Sequence, residues 1–226
     1  MDVTAVIETN LILIDGIAGT GKTILARRLH RLVDDEHGNA IVYHEFDTPH
    51  PIHEWDVDDA QTWQRKTIAN WSALTRTLLR TQSVGIVESS LFQGTVGELL
   101  ERDNNEDVIL EYALQIPSLI QATSPILIYL VPDNIRSHIE RTYGQRPGRW
   151  QTKIDHFIQQ TAFGRARGLA GLEGYLTFLG TLKRLSDHLF EAYEMKKLRV
   201  NVSHGNWDDH DSLITDFLEI VRKEPH

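Results

Sequence analysis

Gly16-Ile-Ala-Gly19-Thr20-Gly21-Lys22-Thr23 follows the spacing G-x-x-x-x-G-K-[ST]. Glycines set this closely let a backbone wrap an anion with successive N–H groups, and a helix opening directly after them adds its positive end. A lysine at this place reaches the outer phosphates, and the hydroxyl beside it can ligate Mg²⁺. Gly16, Gly19, Thr20, Gly21, Lys22 and Thr23 are therefore expected to hold a nucleoside triphosphate, with Thr23 on the metal.

Two further groups of residues could complete a reaction. Glu45 and Asp47 follow the apolar run Ala40-Ile-Val-Tyr43, and Glu88 follows Val84-Gly-Ile-Val87. Ligands of open α/β sheets bind outside the carboxyl ends of strands, so these carboxylates stand where chemistry is expected. Glu88 has the layout that holds Mg²⁺ or its water beside Thr23. The other group is basic: Arg136, Arg141, Arg146, Arg149, Arg165 and Arg167 gather in one stretch of an otherwise acidic chain. Guanidinium groups confined to one insertion suit a lid that closes over phosphates and neutralises charge there, with Arg141, Arg146 and Arg149 as the candidates.

Several elements must position these groups. Leu11–Ile14 is an all-apolar run that reads as a strand buried on both faces, and Ile24, Leu25, Leu29, Leu32 and Val33 recur at helical spacing after the loop. Further strands are predicted at 40–43, 84–87, 125–131 and 197–202, the last alternating and so near a sheet edge. From Asp59 a long helix is indicated by Ala60, Trp63, Thr67, Trp71, Leu74 and Leu78, which makes its tryptophans core residues. Helical patterns over 92–101 and 107–122 are interrupted by Pro117, which should kink or split the second. Gly164, Gly168, Gly171 and Gly174 disfavour a regular helix and suggest a hinge or a tight crossing that ends the insertion, with a helix following on Leu176 and running to about Glu194. Strands alternating with helices demand parallel pairing with right-handed crossovers. The segment Thr48–Trp55 reads equally as a substrate-contacting loop or a rigid connection; nothing nearby completes a metal site around His50 and His53.

The 226 residues suit a single α/β domain, 1–226, carrying one insertion. Thirty-two acidic against 23 basic side chains give a net charge of −9, which argues against non-specific binding of nucleic acid or membrane. The absence of cysteine excludes disulfides and thiolate metal sites. No apolar run approaches the roughly 18 residues needed to span a bilayer and the N-terminus lacks a signal pattern, so a cytoplasmic protein is expected. The oligomeric state is open, a homodimer included.

With these motifs placed, the chain resembles the P-loop kinases of small molecules, the superfamily of thymidylate kinase, adenylate kinase and the deoxynucleoside kinases. Within it the chain is most similar to uncharacterised bacterial thymidylate-kinase-like proteins, through Glu45 to Pro51, Glu88-Ser-Ser-Leu-Phe-Gln93 and Arg167-Gly-Leu after the phosphate loop. The resemblance implies a three-layer α/β fold with a five-stranded parallel sheet of order 2-3-1-4-5. It also implies a helical lid over about 133–170 and an adenine pocket near that lid and Ser203–Trp207. It makes Glu45 or Asp47 the base that takes the acceptor's proton. Deoxynucleoside kinases carry an Asp/Glu-Arg-Ser triplet where this chain has Glu88-Ser89-Ser90. The missing Arg leaves the acceptor open among nucleosides, nucleotides and other small alcohols, amines or acids.

The expected activity is ATP- and Mg²⁺-dependent phosphoryl transfer to a small molecule. The rival is a nucleotide-hydrolysing switch that acts through a macromolecular partner. It would hydrolyse its triphosphate whether or not a small acceptor is present.

Overall fold

The computed structural model describes residues 8–145, 148–204 and 207–219. Strand β1 (Leu11–Gly16) is buried throughout and lies at the centre of a five-stranded sheet, as Leu11–Ile14, apolar on both faces, require. It pairs in parallel with β3 (Val84–Glu88) on one side and β4 (Ile126–Val131) on the other. Strands β2 (Ala40–Tyr43) and β5 (Lys196–Asn201) complete the order β2-β3-β1-β4-β5, also in parallel. This is the expected α/β architecture and strand order. β5 is an edge strand, as its alternation predicts, and exposes Lys196, Arg199 and Asn201.

Alternate residues of each central strand feed two separate cores. Leu11, Leu13, Val87, Leu127 and Tyr129 face one layer, while Ile12, Ile14, Ile86, Ile128 and Leu130 face the other. The second layer is made by α1 (Lys22–His37) and α10 (Trp207–Leu218). Gly38 stops α1 in the left-handed conformation, donating its N–H to Asp34 O at 2.7 Å. The first layer holds α2 (Ala60–Thr81), begun by Asp59, whose carboxylate accepts from Thr62 N at 2.7 Å. Trp63 and Trp71 are buried along it, as the period predicts.

Between β3 and β4 the chain makes a π-helical turn (Phe92–Gly97), then α3 (Glu98–Glu101), α4 (Glu106–Ala113) and α5 (Ile116–Ile120). Pro117 does split the second apolar pattern: α4 ends at Ala113, and the proline sits in the first turn of α5, where its missing N–H costs nothing. After β4 come α6 (Ile135–Gln145), α7 (Gly148–Gln160), α8 (Ala162–Arg167) and the long α9 (Gly171–Ala192).

The glycine-rich stretch is helical on both sides of Gly168, against expectation, and of the hinge and the tight crossing it is the tight crossing that the contact at Gly164 matches. Gly164 is helical, and a Cβ there would stand 1.8 Å from the Ile158 carbonyl oxygen, so a close backbone approach selects it. Gly168 caps α8 in the left-handed conformation, and α9 begins at Gly171 rather than near Leu176. Among the described residues, no helix is long and apolar enough to cross a membrane.

Candidate active site

The phosphate loop joins the centre of the sheet to α1. Gly19 and Gly21 take φ of 83° and 92°, a backbone conformation that L side chains rarely adopt, so the sharp wrap depends on their lacking Cβ. Thr20 closes the loop by donating its hydroxyl to Ile17 O at 2.8 Å. Lys22 Nζ folds back onto the loop, donating to Gly16 O at 2.9 Å and Ile17 O at 3.0 Å, and reaches Gln93 Oε1 at 2.8 Å. The loop is covered from two sides. The His138 ring on α6 lies 3.2 Å from Ala18 O, and the Trp207 indole at the start of α10 would stand 2.2 Å from a Cβ on Gly21.

Behind the loop sits Glu88, at the tip of β3 and 2% exposed. Its Oε1 accepts from Thr23 Oγ1 at 3.0 Å and from Glu45 N at 3.3 Å, with His44 Nδ1 at 3.2 Å. Its Oε2 is buried and meets no hydrogen-bonding partner among the described residues. An orphaned carboxylate oxygen next to a loop hydroxyl is the donor set of a hard cation that also takes oxygens from phosphate and water, so Thr23 and Glu88 fit Mg²⁺. Among the described residues, no cluster of three His, Cys, Asp or Glu competes as a metal site.

Glu45 and Asp47 separate in the structure. Glu45 lines the same cavity as Lys22 and accepts from Gln93 Nε2 at 2.8 Å. Burial pushes its carboxyl above the usual range, and Lys22 opposes that shift. Asp47 instead turns back on its own backbone, accepting from His44 N at 2.7 Å, and does not line the cavity.

That cavity, about 660 Å³, runs from the phosphate loop into a chamber walled by side chains from distant parts of the chain. Phe46 and Trp55 stack at 6.3 Å at one wall. Phe157 of α7 meets Tyr175 and Phe178 of α9 edge-on at 5.8 and 5.6 Å. Glu98 and Glu101 of α3 and Lys153 of α7 bring the charge. The segment Thr48–Trp55 thus sends Trp55 into the chamber, while His50 and His53 stack on each other beneath it at 4.1 Å. Burial drives these two imidazoles down to about 4 and about 3.

The arginines are largely engaged elsewhere. Arg136 forms a bidentate pair with Glu173 at 2.6 and 2.7 Å, Arg167 pairs with Asp103, and Arg165 donates to the Gln160 carbonyl. Arg141 reaches across to the loop after β5, donating to Ser203 O at 3.0 Å. Arg146 lies outside the described residues, and Arg149 begins α7 with its side chain likewise outside them.

Sequence reasoning missed two residues that organise the site. Asp15, buried at the end of β1, accepts from Gly16 N, Leu91 N, Phe92 N and Gln93 N at 2.8–3.1 Å, fixing the start of the π-helical turn. Burial raises its carboxyl despite these amides and Lys22. A carboxylate interrupting an apolar strand was the available signal. The other is Gln93, whose amide joins Lys22 to Glu45.

A parallel sheet of order 2-3-1-4-5 with a phosphate loop between its central strand and first helix defines a P-loop kinase-like fold. The solved thymidylate kinase of Ehrlichia chaffeensis has the same fold. It superposes with a TM-score of 0.50, covering 93% of this chain and 98% of its own, at 10% sequence identity. At that identity the likeness is one of fold alone. No protein-family model and no curated protein matches the sequence.

Proposed function

We propose that this protein is an ATP- and Mg²⁺-dependent phosphotransferase acting on a small-molecule acceptor. One observation carries the reading: a single cavity is lined by Gly19, Gly21, Lys22 and Thr23 at one end and by Glu45 and a side-chain chamber beyond it. A hydrolysing switch needs the first part of that cavity and not the second. The thymidylate kinase fold agrees with a transfer function.

In this reading the loop and the N-terminus of α1 hold the triphosphate, and Lys22 leaves its loop carbonyls to stabilise charge on the transferring group. Thr23 and Glu88 hold Mg²⁺, which when bound screens charge on the phosphates. Glu45 orients the acceptor hydroxyl and takes its proton, a role suited to a carboxyl that burial raises above its usual range. The acceptor oxygen forms a bond to the terminal phosphorus as the bond to the bridging oxygen breaks, and ADP carries away the electron pair. Arg141, with Arg146 and Arg149, completes the site as the lid over 133–170 closes.

The test is ADP formation by wild type and Lys22→Ala across nucleosides, nucleotides, small alcohols and amino alcohols. We expect at least one acceptor to stimulate ADP release and Lys22→Ala to lose about 10²–10³-fold of that rate. Hydrolysis indifferent to every acceptor, or equal in the two proteins, would falsify the proposal.

A further inference from the structure

The chemistry of the far chamber narrows the acceptor. Its two α3 carboxylates are not equivalent. Glu98 is held by Arg102, whose Nε and Nη2 donate to it at 3.1 and 2.6 Å. The rest of that guanidinium is spent on Val57 O and Asp58 O and on the Trp63 ring, 5.8 Å away, and Arg102 does not line the cavity. Glu101 does line it, yet no hydrogen bond or ion pair from a described residue reaches its carboxylate. Burial, with Glu98 and Glu45 nearby and only Arg102 opposing, pushes this group up to about 8.

The other walls are apolar or aromatic, and Phe46 and Trp55 remain 70% and 48% exposed at the mouth, which leaves flat apolar area for a ligand to cover. Three carboxylates therefore face the chamber, against Lys22 at the phosphate loop and Lys153, whose Nζ lies 5.5 Å over the Phe46 ring. Among the described residues, no guanidinium lines it. Among the described residues, a phosphomonoester would therefore meet these acidic groups with no guanidinium fork to recognise it.

We infer that the acceptor is a ring-bearing amino alcohol, its ammonium paired with Glu101, its ring against the aromatic walls and its hydroxyl toward Glu45. The hydroxyl's fate rests on the phosphotransfer reading; the binding preference does not. Aromatic faces beside Glu101 favour a cation as well as a ring.

Calorimetric titration in the presence of Mg·ADP would compare phenylalaninol with its deaminated counterpart, 3-phenylpropan-1-ol, and with 3-phenylpropyl phosphate. The wild-type protein should bind the amine about tenfold or more tightly than the neutral alcohol and the phosphate ester least. Glu101→Gln, which keeps the side-chain volume, should bind the amine and the neutral alcohol alike, with affinity for the neutral alcohol unchanged. No preference for the amine, tighter binding of the phosphate ester, or a preference that survives Glu101→Gln would each overturn the inference. If the preference holds and is lost in Glu101→Gln, yet no amino alcohol yields ADP from Mg·ATP, the phosphotransfer reading fails and the binding inference stands.

Discussion

The two ends of the cavity are built by opposite means. At the phosphate end, consecutive residues from Gly16 to Thr23 do the work mainly with backbone, on a loop whose shape depends on Gly19 and Gly21. At the far end the walls come from residues as distant in sequence as Phe46 and Leu182, contributed by the loop after β2 and by α3, α7 and α9. A backbone site tolerates few residue types, because left-handed geometry excludes side chains. A side-chain chamber can be relined without altering the loop, so one donor site can serve many acceptors. Gln93 is the place where the two meet, its carbonyl on Lys22 and its amide on Glu45.

Substitutions at each end should therefore move separate kinetic constants. The largest effect after Lys22→Ala is expected from Glu88→Gln. Weakening a carboxylate that holds the loop hydroxyl should raise the Mg²⁺ needed for half-maximal activity about 10–100-fold, with acceptor KM unchanged. A Mg²⁺ titration showing no change would remove Glu88 from the donor end.

Gly21→Ala should follow. A Cβ there strains a φ of 92° and drives into the Trp207 ring, so Mg·ATP affinity should fall about tenfold, read as a lost thermal shift on adding nucleotide. Trp55→Ala tests the opposite end. Removing a half-exposed aromatic wall should raise acceptor KM roughly 3–10-fold while leaving the KM for ATP in place. An ATP effect as large as the acceptor effect would break the comparison. Gln93→Ala is the expected exception, moving both constants.

The smallest effects concern stability against pH, and they too differ in sign between regions. His50 and His53 are lowered by burial to about 4 and about 3, so the folded state keeps them neutral while the unfolded chain takes up protons below about 6.5. Their contribution is full above that value and is lost as pH falls toward 3. Glu101 is raised to about 8, so the stability tied to its neutral form is present below about 4.5 and is lost as pH rises through 8. Thermal unfolding across pH should show His53→Gln flattening the loss of stability as pH falls from about 6.5 toward 3, and Glu101→Gln the loss as pH rises from about 4.5 to 8. Identical profiles for all three proteins would contradict both assignments.

This contrast also explains which parts of the molecule could be read from residues alone. The strands were legible because each is a short apolar run beside turn residues, and Leu11–Ile14 is apolar on both faces. The phosphate loop was legible because its geometry admits few alternatives. Glu98, Glu101 and Lys153 were not, since charged residues on helices look the same whether they face solvent or a cavity. Phe157, Tyr175 and Phe178 carry no sequence signal that separates core from cavity wall, and they form a wall because α7 packs on α9. The glycines near 164–174 left a hinge and a tight crossing open because glycine serves both, and at Gly164 the Ile158 carbonyl decides for the close contact.

The placement of the tryptophans has an optical consequence. Trp63 and Trp71 are buried on the core face of α2 and do not line the cavity, so their emission should be indifferent to what binds. Trp207 stands on Gly21, and Trp55 stands on the acceptor chamber. Among the described tryptophans, intrinsic fluorescence therefore carries two separate addresses: under the proposed function, a quench lost in Trp207→Phe should report the triphosphate, and one lost in Trp55→Phe the acceptor. The protein can be screened for its own substrate without a label or a coupled assay.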